Sequence, residues 1–177
     1  MTLLIERLAA HHGRESFDCG EEALNTFLRK QAGQQQRRCF GKTYVALADN
    51  GIDVIGYITI SAGQIDSQGI PQPPNLPRSP APILRIGRLA VDLRHRRQDI
   101  GQDLLSFALH IALEFSESVG LYAVVVDAKN ENVAGFYRRL GFVAIIDNPL
   151  CLFLPVACLL KAKAKAPILP TLHPPAV

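Results

Sequence analysis

The chain has 177 residues, is 48% apolar and 20% charged, and sets 19 Lys+Arg against 16 Asp+Glu for a net charge of +3. That length and apolar content suit one ordinary domain with its own core and exclude a disordered chain or a fibre. So small a net charge does not announce a nucleic-acid partner, so such a partner would need the basic residues gathered locally.

Cys19, Cys39, Cys151 and Cys158 form no CxxC pair and have no His at zinc-ligand spacing. They read as reduced thiols of a cytoplasmic protein. Glu6, Arg7, His11 and His12 interrupt the first residues, so no signal peptide is expected. No apolar run reaches the ~20 residues of a membrane helix. His11-His12 lacks the further spaced ligands of a metal site, so no metal is expected.

In chain order, Asp18 with Glu21 three residues on makes an acidic capping box. Ala23, Leu24, Phe27, Leu28 and Gln31 follow at helical spacing. KTYVALA and IDVIGYITISA are β-rich runs around Asp49-Asn50-Gly51, which predicts a hairpin. Residues 63–82 hold six of the twelve prolines and read as a long irregular loop. ILRIGRLAVDL reads as a strand. After it comes a turn and a long amphipathic helix, with Ile100, Leu104, Leu105, Ala108, Ile111, Ala112 and Phe115 on its buried stripe. LYAVVVDA is almost wholly apolar and should lie centrally, covered on both faces. NENVAGFYRRL is a helix ended by Gly141. FVAII and CLFLPVACLL read as two last strands. Residues 161–177 read as a basic, proline-rich and disordered tail after a domain of residues 1–160. A mixed sheet with helices on both faces is the natural packing of this order.

Charge is uneven. Residues 23–48 hold Arg29, Lys30, Arg37, Arg38 and Lys42 and no acid. Residues 78–97 hold Arg78, Arg85, Arg88, Arg94, Arg96 and Arg97 against Asp92 alone. Gly41-Lys42-Thr43 imitates the end of a phosphate-binding loop, but Gln36 stands where its first glycine belongs and a strand follows, so nucleotide hydrolysis is not expected.

Two segments carry chemistry. GRLAVDLRHRRQDIGQDLL runs from a strand through a turn into a helix, whose free N–H groups and dipole favour an anion, with Arg96 and Arg97 beside them. VVVDAKNENVAGFYRRLGF follows the central strand and places Tyr137 near a helix end. On these residues the chain resembles the GNAT superfamily of acetyltransferases. Arg96-Arg97-Gln98-Asp99-Ile100-Gly101 resembles the family's acetyl-CoA loop, and NENVAGFYRRLGF resembles its second signature helix. FDCGEEALNTFLRKQA, VIGYITISA and LPRSPAPILRIGRLAVD extend the resemblance to the toxins of bacterial toxin–antitoxin pairs of the TacT and AtaT type.

The resemblance implies a mostly antiparallel mixed α/β sheet and transfer of acetyl from acetyl-CoA to the α-amino group of aminoacyl-tRNA, which blocks translation. It implies Tyr137 as general acid to the leaving thiolate. Backbone of Leu89, Ala90 and Val91 would hold the pantetheine arm and the oxyanion. Arg96, Arg97, Gln98, Asp99, Ile100, Gly101 and Gln102 would hold the pyrophosphate, with Asn132, Phe136 and Arg139 completing the acetyl-CoA site. Phe136 taken alone reads as core. Arg29, Lys30, Arg37, Arg38, Arg78, Arg85 and Arg88 would contact tRNA phosphates. The implied partners are a ribbon-helix-helix antitoxin, operator DNA through that antitoxin, and a second copy in a homodimer. The family loop carries a glycine where this chain has Asp99, which is expected to cap the following helix and to weaken acetyl-CoA binding. No Glu or His stands in the acceptor strand to serve as base. An α-amine, with a pKa of about 7.7–8.0, needs one less than a lysine at about 10.4. Two alternatives are a GNAT enzyme for a small amine or protein N-terminus, and a weakly active CoA-binding partner of a repressor.

Overall fold

The computed structural model describes residues 3–71, 76, 77 and 79–165. Arg78 and residues 166–177 of the expected tail lie outside the described residues. Seven strands form one sheet in the order β1-β2-β3-β4-β5-β7-β6. They are β1 (Leu4–Arg7), β2 (Lys42–Leu47), β3 (Val54–Ile65), β4 (Ala81–Val91), β5 (Ala123–Asp127), β6 (Val143–Ile145) and β7 (Asn148–Pro155). Every neighbouring pair is antiparallel except β4 with β5. The expected mixed, mostly antiparallel sheet with helices on both faces is what forms.

One face is covered by α1 (Glu22–Thr26), a π-helical turn at Phe27–Gln31 and α2 (Ala32–Arg37). Phe17, Phe27, Leu28, Val45 and Tyr57 make the core there. The other face carries α3 (Ile100–Ser116), α4 (Glu131–Arg139) and α5 (Val156–Lys165), packed on Ile58, Ile86, Val124, Val126 and Leu152. β5 is the apolar strand expected at the centre, and Ala123, Val124, Val125 and Val126 are buried whichever face they meet. Gly51 takes a left-handed φ of 68° in the β2–β3 turn, which the Asp-Asn-Gly sequence supplies. Gly56 lets α3 lie close on β3: a Cβ there would stand 2.9 Å from Ile100 and 3.0 Å from Leu104.

Several elements differ from those the sequence predicts. A strand at Leu4–Arg7 precedes the first helix. Asp18 does not cap α1, which starts at Glu22; its carboxylate instead accepts from Gly20 N–H and Asn25 Nδ2. The presumed loop is shorter, because Gly63–Ile65 belong to β3 and Ala81-Pro82 to β4. On α3 Leu113 is buried where Phe115 was expected, and Phe115 is exposed. CLFLPVACLL is not one strand: β7 ends at Pro155 and the next ten residues are helix, so residues 161–165 are the end of α5. Proline fits that junction, since it suits a helix start while Ala, Leu and Lys sustain the helix.

Candidate active site

The site follows from where β4 and β5 part. They pair in parallel over only four positions, Ile83 with Ala123 through Ile86 with Val126. On its other side β4 pairs with β3, but the register jumps: Thr59 faces Arg88 while Ile60 faces Ile86. Gly87 is therefore the extra residue of a bulge, and bulges bend and twist their strand. Beyond it, Gly87–Val91 has β3 on one edge and no strand partner on the other among the described residues. Asp92 N–H donates to Ile55 O of β3 at 2.9 Å. Strand N–H groups alternate in direction, so those of Leu89 and Val91 turn into the opening and that of Ala90 turns to β3.

The turn after β4 delivers the N-terminus of α3 beside this opening. Asp92 is fully buried and organises the turn: its carboxylate accepts from Asp18 N–H and from Arg94 N–H, Nε and Nη2. These hydrogen bonds, Arg94's foremost, hold the Asp92 carboxyl down at about 2. Arg97 and Asp99 both have left-handed backbone, φ 62° and 58°. Asp is one of the few residues with a side chain that tolerate that region, so the loop keeps its shape without a glycine. Asp99 occupies the N-cap position, yet its carboxylate caps nothing, which corrects the expected capping bond. The first-turn N–H groups of Ile100, Gly101 and Gln102 thus have no side-chain acceptor from Asp99. Arg96 is committed elsewhere, donating to Cys19 O at 2.9 Å, while Arg97 and Gln98 are exposed.

Across the opening, Asn130 caps α4 by accepting from Val133 N–H at 3.0 Å. The far end closes at Gly141, φ 95°, with Gly141 N–H on Arg138 O and Phe142 N–H on Tyr137 O, the paired bonds of a Schellman end. Tyr137 is 3% exposed, wedged edge-on between Phe136 and Phe142 at 5.2 and 5.4 Å. Its hydroxyl makes no hydrogen bond to a described residue. Burial pushes its pKa well above the usual tyrosine value, so the hydroxyl stays protonated. Asn132 and Arg139 are exposed on the same helix, and Phe136 is half-buried.

The basic residues divide. Lys30, Arg37 and Arg38 are exposed along the π turn and α2. Arg29 points inward: Nη2 donates to Phe17 O at 2.5 Å, and its buried Nε–H has no partner among the described residues. Arg88 lies over the Phe27 ring at 3.7 Å, which joins the two basic stretches on the α1–α2 face. Arg85 is on that face too, paired with Asp127 at the end of β5. The pairing of Arg85 with Asp127 had no signal in the sequence, because it depends on the parallel register. At the other end of the chain, His12 Nδ1 accepts from Ala9 N–H at 2.9 Å, so its Nε2 carries the proton that Glu6 accepts at 2.7 Å. That tautomer opposes metal binding by the Glu6–His11–His12 group.

A sheet that parts above the start of a long helix, with a protonated tyrosine under one lip, is built to hold an extended anionic ligand between two strands. A family model for the acetyltransferase (GNAT) domain matches residues 40–144, and the chain belongs to that family. A tRNA-acetylating toxin of Mycobacterium tuberculosis is 29% identical over 141 residues, 78% of this chain and 83% of that protein. The structure of a tyrosine-to-phenylalanine mutant of KacT is similar with a TM-score of 0.86 at 31% identity, over 92% of this chain and 99% of that one. AtaT complexed with acetyl-methionyl-tRNAfMet is similar with a TM-score of 0.84 at 29% identity, over 91% and 99%. Similar structures also include AtaT with the C-terminus of its antitoxin AtaR and acetyl-CoA, and a KacTA–DNA complex. No described helix is long and apolar enough to cross a membrane.

Proposed function

We propose that this chain is the toxin of a toxin–antitoxin pair and transfers acetyl from acetyl-CoA to the α-amino group of aminoacyl-tRNA, blocking translation in the cytoplasm. The observation that carries the reading is the two-sided opening between β4 and β5. Tyr137 lies with the α3–α4 layer on one side of the sheet, and Arg85 and Arg88 lie with the α1–α2 layer on the other.

In this reading Leu89 and Val91 N–H groups hold the pantetheine arm and the oxyanion of the tetrahedral intermediate. The first-turn N–H groups of α3, with Arg97 and Gln98, receive the pyrophosphate. Asn132, Phe136 and Arg139 line the α4 side. The amine nitrogen bonds to the acetyl carbon, the carbon–sulfur bond breaks, and Tyr137 donates its proton to the sulfur. Lys30, Arg37, Arg38 and Arg88 meet tRNA phosphates, and Arg29 shapes the surface from beneath. The AtaR and DNA complexes of relatives support an antitoxin partner and operator DNA bound through it. A ribbon-helix-helix antitoxin and a homodimer complete the proposal.

Charged-tRNA binding measured against salt tests this. Binding should weaken steeply with salt, and the triple replacement of Lys30, Arg37 and Arg38 by Ala should flatten the log–log slope by roughly 2–3. Salt-independent binding, or none, would favour a small amine acceptor.

A further inference from the structure

Where β4 and β5 part, β5 ends on a carboxylate, Asp127. β5 and β4 stop pairing at Val126 and Ile86, and Asp127 is the next residue. Val126 and Ala128 pack with Tyr137 in the core under α3 and α4. Strand alternation therefore puts the Asp127 side chain on the opposite face, with Arg85, on the side where Arg88 meets Phe27 of the π turn. Asp127 sits opposite Cys151 of β7. Burial first, and then this carboxylate, push the Cys151 thiol up to about 11, so the thiol stays neutral.

The other acids around the opening are occupied, except Asp99, which stands at the start of α3 on the pyrophosphate side. Asp92 takes four donors, Asp18 takes Gly20 N–H and Asn25, Glu21 pairs with Lys129, and Glu131 pairs with Arg138. Asp127 takes Arg85 on Oδ2 and lies against the Cys151 thiol, and its side chain is 57% exposed. A carboxylate accepts about four hydrogen bonds, so among the described residues it keeps acceptor capacity for a cation arriving from the α1–α2 side.

We propose that Asp127 is the residue that binds and orients the acceptor α-amine, with Arg85 as the positioning residue that fixes its carboxylate. The inference rests on the acceptor being the α-amine of aminoacyl-tRNA. Asp127 draws the ammonium to the opening and takes a hydrogen bond from it, leaving the nitrogen lone pair to face the acetyl carbon once a proton is lost. The balance is one amide bond formed and one thioester bond broken. The ammonium gives up one proton before attack and the tetrahedral nitrogen a second, both passing by Asp127 to water; the sulfur is protonated from Tyr137, which regains a proton from solvent, so one proton is released net. Selection for a free α-ammonium follows, since an acceptor without that charge gains nothing from Asp127.

The test compares two tRNA probes: the charged pool, and the same pool treated with nitrous acid, which turns the α-ammonium into a hydroxyl. Wild type should bind the first about tenfold more tightly, the range of one charge-assisted hydrogen bond. Asp127→Asn keeps the shape and should abolish this preference while leaving acetyl-CoA affinity unchanged. Arg85→Lys should retain part of it. The same preference in wild type and Asp127→Asn would overturn the role of Asp127 while leaving the tRNA reading intact. Failure of wild type to bind or acetylate charged tRNA at all would overturn both.

Discussion

Replacing Asp99 by Gly should improve both stability and acetyl-CoA affinity, for two separable reasons. The residue holds a φ of 58° and its carboxylate makes no capping bond. Left-handed backbone costs a residue with a side chain roughly 1–2 kcal/mol, and Asp sits at the lower end of that range, against about 0.5–1 kcal/mol of extra chain entropy lost by Gly on folding. The net gain of at most about 0.5 kcal/mol corresponds to a rise of about 1–2 °C in Tm for a chain of this length. The second reason is charge. A carboxylate about 6 Å from a diphosphate with two charges repels it by roughly 1.4 kcal/mol in a water-like dielectric, about half of which survives physiological salt. Removing that repulsion should tighten acetyl-CoA binding about threefold. Calorimetric titration and thermal unfolding read the two effects. Asp99→Asn tells them apart: it should reproduce the affinity gain without the stability gain. Binding by Asp99→Gly equal to or poorer than wild type would refute the reasoning.

Gly56→Ala should press α3 away from β3 through Ile100 and Leu104. It should cost about 1–3 kcal/mol and raise KM for acetyl-CoA, because Ile100 begins the anion-facing turn; unchanged KM and Tm would contradict this packing. Asp92→Asn should destabilise by about 2 kcal/mol at neutral pH, since it disturbs a buried acceptor of four donors. The folded pKa of Asp92, about 2, is below its unfolded value, so its contribution is full above pH ~4 and lost as pH falls toward 2. The stability gap between wild type and variant should close over that window in acid denaturation. Tyr137 should produce no alkaline fall in rate up to about pH 10, because burial raises its pKa above the usual value of about 10. A fall near pH 9 that disappears in Tyr137→Phe would contradict that burial.

Much of the scaffold is legible from local signals. The Asp-Asn-Gly turn, the apolar β5 and the α3 stripe each follow from one stretch of chain. α5 was hidden because CLFLPVACLL is apolar throughout and periodicity cannot separate strand from helix in so short a run. β1 has only four residues and no alternation to reveal it. In the site, the Asp99 loop and Tyr137 stand inside contiguous motifs. The opening itself depends on one bulge at Gly87, which appears only when β3 and β4 are set in register. Arg85 and Asp127 are 42 residues apart and meet through a parallel pairing that neither segment announces. The small net charge likewise concealed that Arg88 touches Phe27, so the two basic stretches meet on one face.

Mass analysis of the aminoacyl-tRNA pool after translation in vitro with acetyl-CoA and this protein tests the acetyl transfer most directly. N-acetylated aminoacyl-tRNA should accumulate as translation stops, and Tyr137→Phe should slow its formation by about 10²–10⁴-fold while the protein stays folded. An unacetylated pool, with wild type and Tyr137→Phe behaving alike, would contradict the account.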